Sequence, residues 1–201
     1  WSLDSPQINK IAPKVVGDFA LINDEEIVVC AKNLSICSLS TGKVLRELPD
    51  SSEEWRSVRY ARAINTVFAL DRAGQVFSWS LTDPVRISVW KSNEDRHGVQ
   101  FDVSPTGENL VLDVRNQDGS VRNLEFRHGT TTTRFPCNVV FALAHSPDGR
   151  FFASNYEKNI RVIDAVTGTL VQTLVGHRTT INDVKFSPDG IHLASVSADR
   201  A

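Results

Sequence analysis

Short runs of apolar residues, each long enough for one strand, alternate along the chain with clusters of turn residues. The clearest example lies at residues 176–199, where Ser187-Pro188-Asp189-Gly190 separates an apolar run at 181–186 from another at 193–196. Proline presets the first corner of a turn, and Gly190 can adopt a left-handed conformation at little steric cost. The pattern therefore predicts two strands joined by a tight hairpin.

This hairpin signature recurs at a nearly constant spacing. Ser146-Pro147-Asp148-Gly149 precedes the last copy by 41 residues, and Ser104-Pro105-Thr106-Gly107 lies 42 residues earlier still. Nowhere does the chain show the start and stop signals of an amphipathic helix of ordinary length. We therefore expect an all-β chain built from a repeated unit of about 40 residues.

The last repeat also carries a Gly-His pair, Gly176-His177, before its first strand and Asp199 after its second. These positions resemble the signature of the WD-repeat family, whose members form β-propellers from four-stranded antiparallel blades. The resemblance covers nearly the whole chain and implies a propeller segment with an incomplete ring. We expect the end of a broken blade at 1–12, complete blades at 15–48, 55–90, 99–135 and 139–174, and the first half of a fifth blade at 176–201.

The same resemblance implies a structural hydrogen-bond network in the last repeat, formed by His177, Asp199 and a strand serine, either Ser195 or Ser197. A serine, a histidine and an aspartate also suggest a hydrolase. However, the chain has no Gly-x-Ser-x-Gly segment that would present a sharply turned nucleophile. We therefore assign these residues a structural role.

Earlier repeats depart from this pattern. The repeat period places Pro136 where the histidine would stand in the fourth blade, and Lys158 where the aspartate would stand. We therefore expect the polar network in the last repeat alone, and stabilisation of the earlier blades by apolar packing.

The composition of the chain argues against several classes of function. The net charge of −2, with acids and bases interspersed, offers no basic field for nucleic acid or an anionic membrane surface. Cys30, Cys37 and Cys137 have no metal-ligand spacing, so we interpret them as small apolar strand residues. No apolar run is long enough for a membrane span, and neither zinc-binding histidine spacing nor a glycine-rich phosphate motif occurs. We expect no catalysis, metal or cofactor, and a cytoplasmic protein, with the nucleus as an alternative.

Surface recognition is the function that remains, because loops on a rigid scaffold are where binding residues concentrate. By register, one face of the propeller collects the connections between blades and the hairpins between second and third strands. Aromatic and arginine side chains often anchor partners, and the candidate partner-binding residues on this face are Trp55, Arg56, His97, Arg115, Tyr156, Lys158 and Arg178. We expect a non-catalytic scaffold that binds other proteins or peptides and contacts the missing blades of its own parent chain.

Two other functions stay open at this point. The chain would instead be the ligand-sensing repeat domain of a multidomain signalling NTPase if a Walker motif adjoined it. A propeller enzyme would require acid and base residues that converge at the channel mouth. Trp55 also has a simpler interpretation, which is that it covers the edge of a blade.

Overall fold

The computed structural model describes residues 17–52, 54–91, 96–116, 118, 122–137 and 140–199, with the backbone alone for residues 96–99 and 136. The expected broken blade at 1–12 lies outside these residues. Within them the chain forms 18 strands, and the single helical segment is a 3-10 turn at Arg62–Ile64. The predicted all-β fold is confirmed.

The strands form four four-stranded antiparallel sheets and a final two-stranded sheet, with the strands of each sheet paired in chain order. We name the four-stranded sheets blades 1 to 4 and the two-stranded sheet the last hairpin. Blade 1 contains β1 (Phe19–Leu21), β2 (Glu26–Cys30), β3 (Leu34–Ser38) and β4 (Val44–Glu47). Blade 2 contains β5 (Trp55–Ala61), β6 (Thr66–Asp71), β7 (Val76–Ser80) and β8 (Arg86–Trp90).

Blades 3 and 4 follow the same order. Blade 3 contains β9 (Arg96–Val103), β10 (Asn109–Asn116), β11 (Arg122–His128) and β12 (Thr131–Pro136). Blade 4 contains β13 (Leu143–His145), β14 (Phe151–Tyr156), β15 (Asn159–Asp164) and β16 (Leu170–Leu174). The last hairpin contains β17 (Ile181–Phe186) and β18 (Leu193–Ser197).

The repeated Ser-Pro-x-Gly sequence forms the hairpin between first and second strands, as its residues predict. In blade 4 the backbone N–H of Gly149 donates to the Ser146 carbonyl at 2.8 Å, and Gly149 has a φ of +71°. The Ser146 hydroxyl accepts the Phe151 N–H at 2.9 Å, which fixes the start of β14. Gly107 and Gly190 adopt the same left-handed conformation in their own turns. A short local sequence therefore sets each of these three hairpins.

The hydrophobic core lies between neighbouring blades. Side chains of blade 1 pack on blade 2, those of blade 2 on blade 3, those of blade 3 on blade 4, and those of blade 4 on the last hairpin. All six residues of β6 are buried, because one face of this strand packs on blade 1 and the other on blade 3. This double burial explains the incomplete alternation of apolar and polar residues in the second and third strands.

The first strands of consecutive sheets, β1, β5, β9, β13 and β17, contact one another in chain order. Residues from all five sheets line a cavity of about 680 Å³. We call this cavity the channel. An adjoining cavity of about 390 Å³ is lined by residues that include Arg56, Gln100 and Phe141.

Candidate functional site

The last hairpin brings His177 and Asp199 together with one of the two candidate serines. The His177 ring contacts the Ser195 hydroxyl through Nε2 at 2.8 Å and the Asp199 carboxylate through Nδ1 at 3.1 Å. Asp199 also accepts the backbone N–H of Arg178 at 2.7 Å. These contacts tie the segment that precedes β17 to the end of β18.

Ser197 has different partners from Ser195. Its hydroxyl donates to the backbone carbonyl of Thr180 at 2.8 Å and accepts the Asp199 N–H at 3.2 Å. Ser195 is therefore the serine that contacts the histidine, a choice that the sequence left open. The arrangement has the nitrogen assignment of a catalytic triad, but Ser195 lies inside a regular strand, opposite Val184 in the sheet, and not on the sharp turn that exposes a nucleophile.

The structure corrects the expectation that Trp55 lies on the partner-binding surface. Its side chain is only 7 % exposed and belongs to the core between blades 1 and 2. The indole Nε1 donates to the Ser51 carbonyl at 2.7 Å, and the ring meets Trp79 edge-on with 5.4 Å between centroids. This placement leaves Trp55 a packing role, because large aromatic side chains stabilise a core and their polar atom needs a partner when buried.

The other candidates lie where first strands begin, second strands end or blades connect. Arg56 is half-buried near the start of β5, and Arg115 is half-buried near the end of β10. Lys158 is exposed in the hairpin between β14 and β15, and Arg178 is exposed before β17. His97 lies in β9 with its Cα paired to that of Arg115, and its side chain is outside the described atoms.

Tyr156 is half-buried at the end of β14, where the Arg161 guanidinium stacks on its ring at 3.4 Å from the centroid. Such a cation–π contact holds the aromatic ring in one orientation. Tyr156 and Arg161 also line a crevice of about 40 Å³ between blades 3 and 4.

A chain of charged and polar contacts connects blades 1 to 4 along the channel. The Arg59 guanidinium donates to Asp18 at 2.7 Å and to Asp102 at 3.1 Å. The other oxygen of Asp102 contacts the His145 ring Nδ1 at 2.9 Å and accepts the His145 backbone N–H at 2.8 Å. We call these four residues the interblade chain. They correct the expectation that the earlier blades rely on apolar packing alone.

The environment of Asp102 favours its charged form. Burial by itself would raise the pKa of this carboxyl, but hydrogen bonds from His145 and the charges of His145 and Arg59 outweigh the burial and lower the pKa. Asp113 in blade 3 behaves in the opposite way, since burial raises its pKa more than the Arg122 contact at 2.7 Å lowers it. Two buried aspartates of one blade thus have pKa values shifted in opposite directions.

Sequence reasoning missed the interblade chain, although a signal was present. Asp18, Arg59, Asp102 and His145 follow one another at intervals of 41, 43 and 43 residues, which is close to the repeat spacing of 41 and 42 residues. Acidic and basic types alternate at these positions, with one residue in or directly before the first strand of each of blades 1 to 4. Charges about one repeat apart, in or beside the first strands of neighbouring blades, are the pattern that would have predicted the chain.

Neither the cysteines nor the acidic residues assemble a reactive site in the part of the chain that the structure describes. Burial raises the pKa of the Cys30 and Cys137 thiols to about 12, so both stay protonated and unreactive near neutral pH. Among the described residues no three histidine, cysteine or carboxylate side chains group in a way that would hold a metal ion. No helix within the described ranges is long and apolar enough to cross a membrane.

The fold and the motif agree with comparisons to known proteins. Residues 129–164 and 168–201 match the family model of the WD domain, G-beta repeat. These matches cover blade 4 and the last hairpin, and the described residues before them form the same four-stranded sheets. Residues 129–201 of this chain are therefore similar to the repeats of that family.

Three similar proteins come from different organisms. An uncharacterized WD repeat-containing protein of Synechocystis is 32 % identical over 97 residues, which are 48 % of this chain and 28 % of that protein. A component of chromatin assembly factor 1 from Gallus gallus is 26 % identical over 143 residues, 71 % of this chain and 23 % of that protein. The intraflagellar transport protein 122 homolog of Danio rerio is 37 % identical over 62 residues, 31 % of this chain and 5 % of that protein. Each similarity therefore covers only a minor part of the relative.

Proposed function

We propose that this chain is part of a non-catalytic protein-interaction scaffold and that partner proteins or peptides bind the face at which first strands begin. The observation that carries the proposal is the position of Arg56, Arg115, Lys158 and Arg178. They come from blades 2, 3 and 4 and from the last hairpin, and all lie at the same end of the strands. Long basic side chains around one opening can contact a single bound segment from several sides.

Two further features support this face as the binding surface. Phe141 is half exposed and lines the cavity beside Arg56, so an apolar contact is available next to the charges. Tyr156 is held by Arg161, which reduces the entropy lost when a partner contacts its ring. Aromatic and basic residues on a rigid support are typical of the side chains that contribute most to protein binding.

The proposal is tested with a phage-displayed library of random peptides selected on the immobilised chain. Peptides recovered from the selection are then titrated against the purified Lys158→Glu and Arg178→Glu variants. We expect at least one variant to weaken binding by about tenfold or more, equivalent to about 1.4 kcal/mol. Lys43→Glu is the matched control, because Lys43 is exposed in the turn between β3 and β4, at the other end of the strands.

Recovered peptides that bind all variants equally would contradict the assignment of this face. The non-catalytic part of the proposal has its own test, since Ser195 and His177 are within hydrogen-bond distance. Hydrolysis of a simple activated ester by the wild-type chain and by Ser195→Ala is expected to proceed at the same rate. A rate that depends on Ser195 would reopen the hydrolase function.

A further inference from the structure

The outer strand of blade 4 differs from the outer strands of the other blades in its lack of charge. An outer strand leaves a row of backbone N–H and C=O groups unpaired, and natural proteins protect such edges with charges, prolines or bulges. Residues 167–176, which include β16, contain no charged residue and no proline. The other outer strands or the residues just before them carry protective residues, namely Arg46 and Glu47 in β4, Pro84 and Arg86 at β8, and Arg134 and Pro136 in β12.

The strand is also apolar and exposed. Leu170, Val171 and Val175 are 53 %, 54 % and 76 % exposed. A bulge at Val171 interrupts the pairing with β15, but residues 172–174 pair regularly with residues 160–162. The regular stretch is centred on Thr173, which is exposed.

We propose that β16 pairs antiparallel with β16 of a second copy of this chain, about a two-fold axis at Thr173. This arrangement places Thr173 opposite Thr173 of the second copy and Val171 opposite Val175. Cross-strand pairs of β-branched residues stabilise antiparallel sheets, and threonine pairs add a hydrogen bond. The strand is therefore complementary to itself.

The charge pattern favours a second copy as the occupant of this edge. When two β16 strands pair, no charged side chains come close to each other. An edge that binds a charged partner segment is instead expected to carry charges of the opposite sign. A two-fold contact also uses the same surface on both copies, so no second complementary patch is needed. The pairing of one short strand buries less area than a stable interface of about 1,200 Å², so the dimer is weak and dissociates on dilution.

Sedimentation velocity over a series of protein concentrations tests the pairing. Thr173→Lys sets two lysines opposite each other and is expected to weaken association by about tenfold or more. The matched control is Thr132→Lys, because Thr132 is an exposed threonine in the outer strand β12. This control is expected to leave association unchanged.

The register is tested by paired substitutions. Val171→Lys and Val175→Glu should each weaken association, and the double variant should restore it, because each lysine then faces a glutamate of the second copy. In a separate test, Thr173→Cys should form a disulfide-linked dimer on mild oxidation and Thr132→Cys should not. A threonine directly opposite itself has the short Cα separation that a disulfide requires.

Any one of three outcomes would overturn the inference. These are sedimentation as a monomer at every concentration, association of Thr173→Lys as strong as that of the wild type, and a double variant that fails to recover. The second outcome would point to another surface, such as the exposed Phe19 and Leu21 of β1. Urea unfolding of each variant confirms that the exposed substitutions leave the fold intact.

Discussion

The molecule contains two polar networks of different reach. In the last hairpin, His177, Ser195 and Asp199 join two strands of one sheet, and their contacts span 18 to 22 residues of sequence. In the interblade chain, Arg59 contacts both Asp18 and Asp102, which lie 41 and 43 residues away in the sequence. One arginine side chain therefore connects three blades. The first network closes a local hairpin, and the second links neighbouring blades along the channel.

The two networks are buried to a similar degree, but they differ in the number of sheets that they hold together. The side chains of Asp102 and His145 are 13 % and 2 % exposed, and no described atom satisfies the buried Nε2 of His145. The side chains of His177 and Asp199 are 16 % and 4 % exposed, and the last hairpin packs on blade 4. Loss of Asp102 would remove a partner from Arg59 in blade 2 and from His145 in blade 4, whereas loss of His177 would affect one sheet. Damage to the interblade chain should therefore be more costly than damage to the last hairpin.

The largest expected effect comes from Asp102→Ala. This substitution removes an acceptor of Arg59 and leaves the backbone N–H of His145 without its partner, so we expect a loss of about 3 kcal/mol in the free energy of unfolding. Urea denaturation followed by tryptophan fluorescence measures it. Asp183→Ala is the control, because Asp183 pairs with Lys185 at an exposed site and should cost no more than about 0.5 kcal/mol. Equal losses for the two variants would mean that Asp102 contributes no more to stability than an exposed ion pair does.

A smaller loss is expected from Arg59→Ala, about 2 kcal/mol, since Asp102 keeps its contacts with His145. Arg59→Lys sharpens the comparison, because lysine retains the charge but lacks the planar fork of donors that reaches two carboxylates at once. We expect the lysine variant to recover only part of the loss in the same urea experiment. Full recovery of stability by Arg59→Lys would mean that the positive charge alone stabilises the fold, and not the simultaneous contact with two carboxylates.

His177→Ala should cost less still, about 1 kcal/mol. We expect the change to appear as faster hydrogen exchange confined to β17 and β18, and to be larger in a longer chain that adds a third strand to this sheet. His192→Ala is the matched control, because the contacts of this exposed turn histidine run through its backbone. Faster exchange throughout blades 1 to 3 would contradict a local role for His177.

The smallest expected effect is a difference in how two aspartates of blade 3 change the pH dependence of the free energy of unfolding. A carboxyl group with a lowered pKa in the folded chain, such as Asp102, stabilises the fold above its unfolded pKa of about 3.9 and loses this contribution as the pH falls through its folded pKa. Asp113 has a raised pKa, so it binds a proton more readily in the folded chain and opposes acid unfolding.

Substitution of each aspartate by asparagine separates these contributions. Asp102→Asn should make the loss of stability in acid less steep than in the wild type, and Asp113→Asn should make it steeper. Urea unfolding between about pH 3 and pH 6 measures both slopes. Slopes that change in the same direction would contradict the opposite pKa shifts.

Residues close together in the chain explain why the local structure was predictable. The Ser-Pro-x-Gly turns are set by hydrogen bonds within five residues, such as those from Phe151 and Gly149 to Ser146, so their sequence predicts the hairpins without knowledge of the rest of the molecule. The strands between them follow from short apolar runs, and the repeat period identifies the blades. The pairing of His177 with Asp199 was also predictable, because the resemblance to WD repeats implies it.

Contacts between blades had no such local signal, and the tertiary structure decided them. Trp55 looked like an anchor for a partner, but the packing of blade 1 on blade 2 buries it against Trp79. Arg59 reaches Asp18 and Asp102 only because the first strands lie side by side around the channel. The sequence by itself determined the strands, the turns and their period, since these depend on neighbouring residues. The angle at which blades pack decided which residues 41 to 43 positions apart meet, and that angle results from all the interblade contacts together.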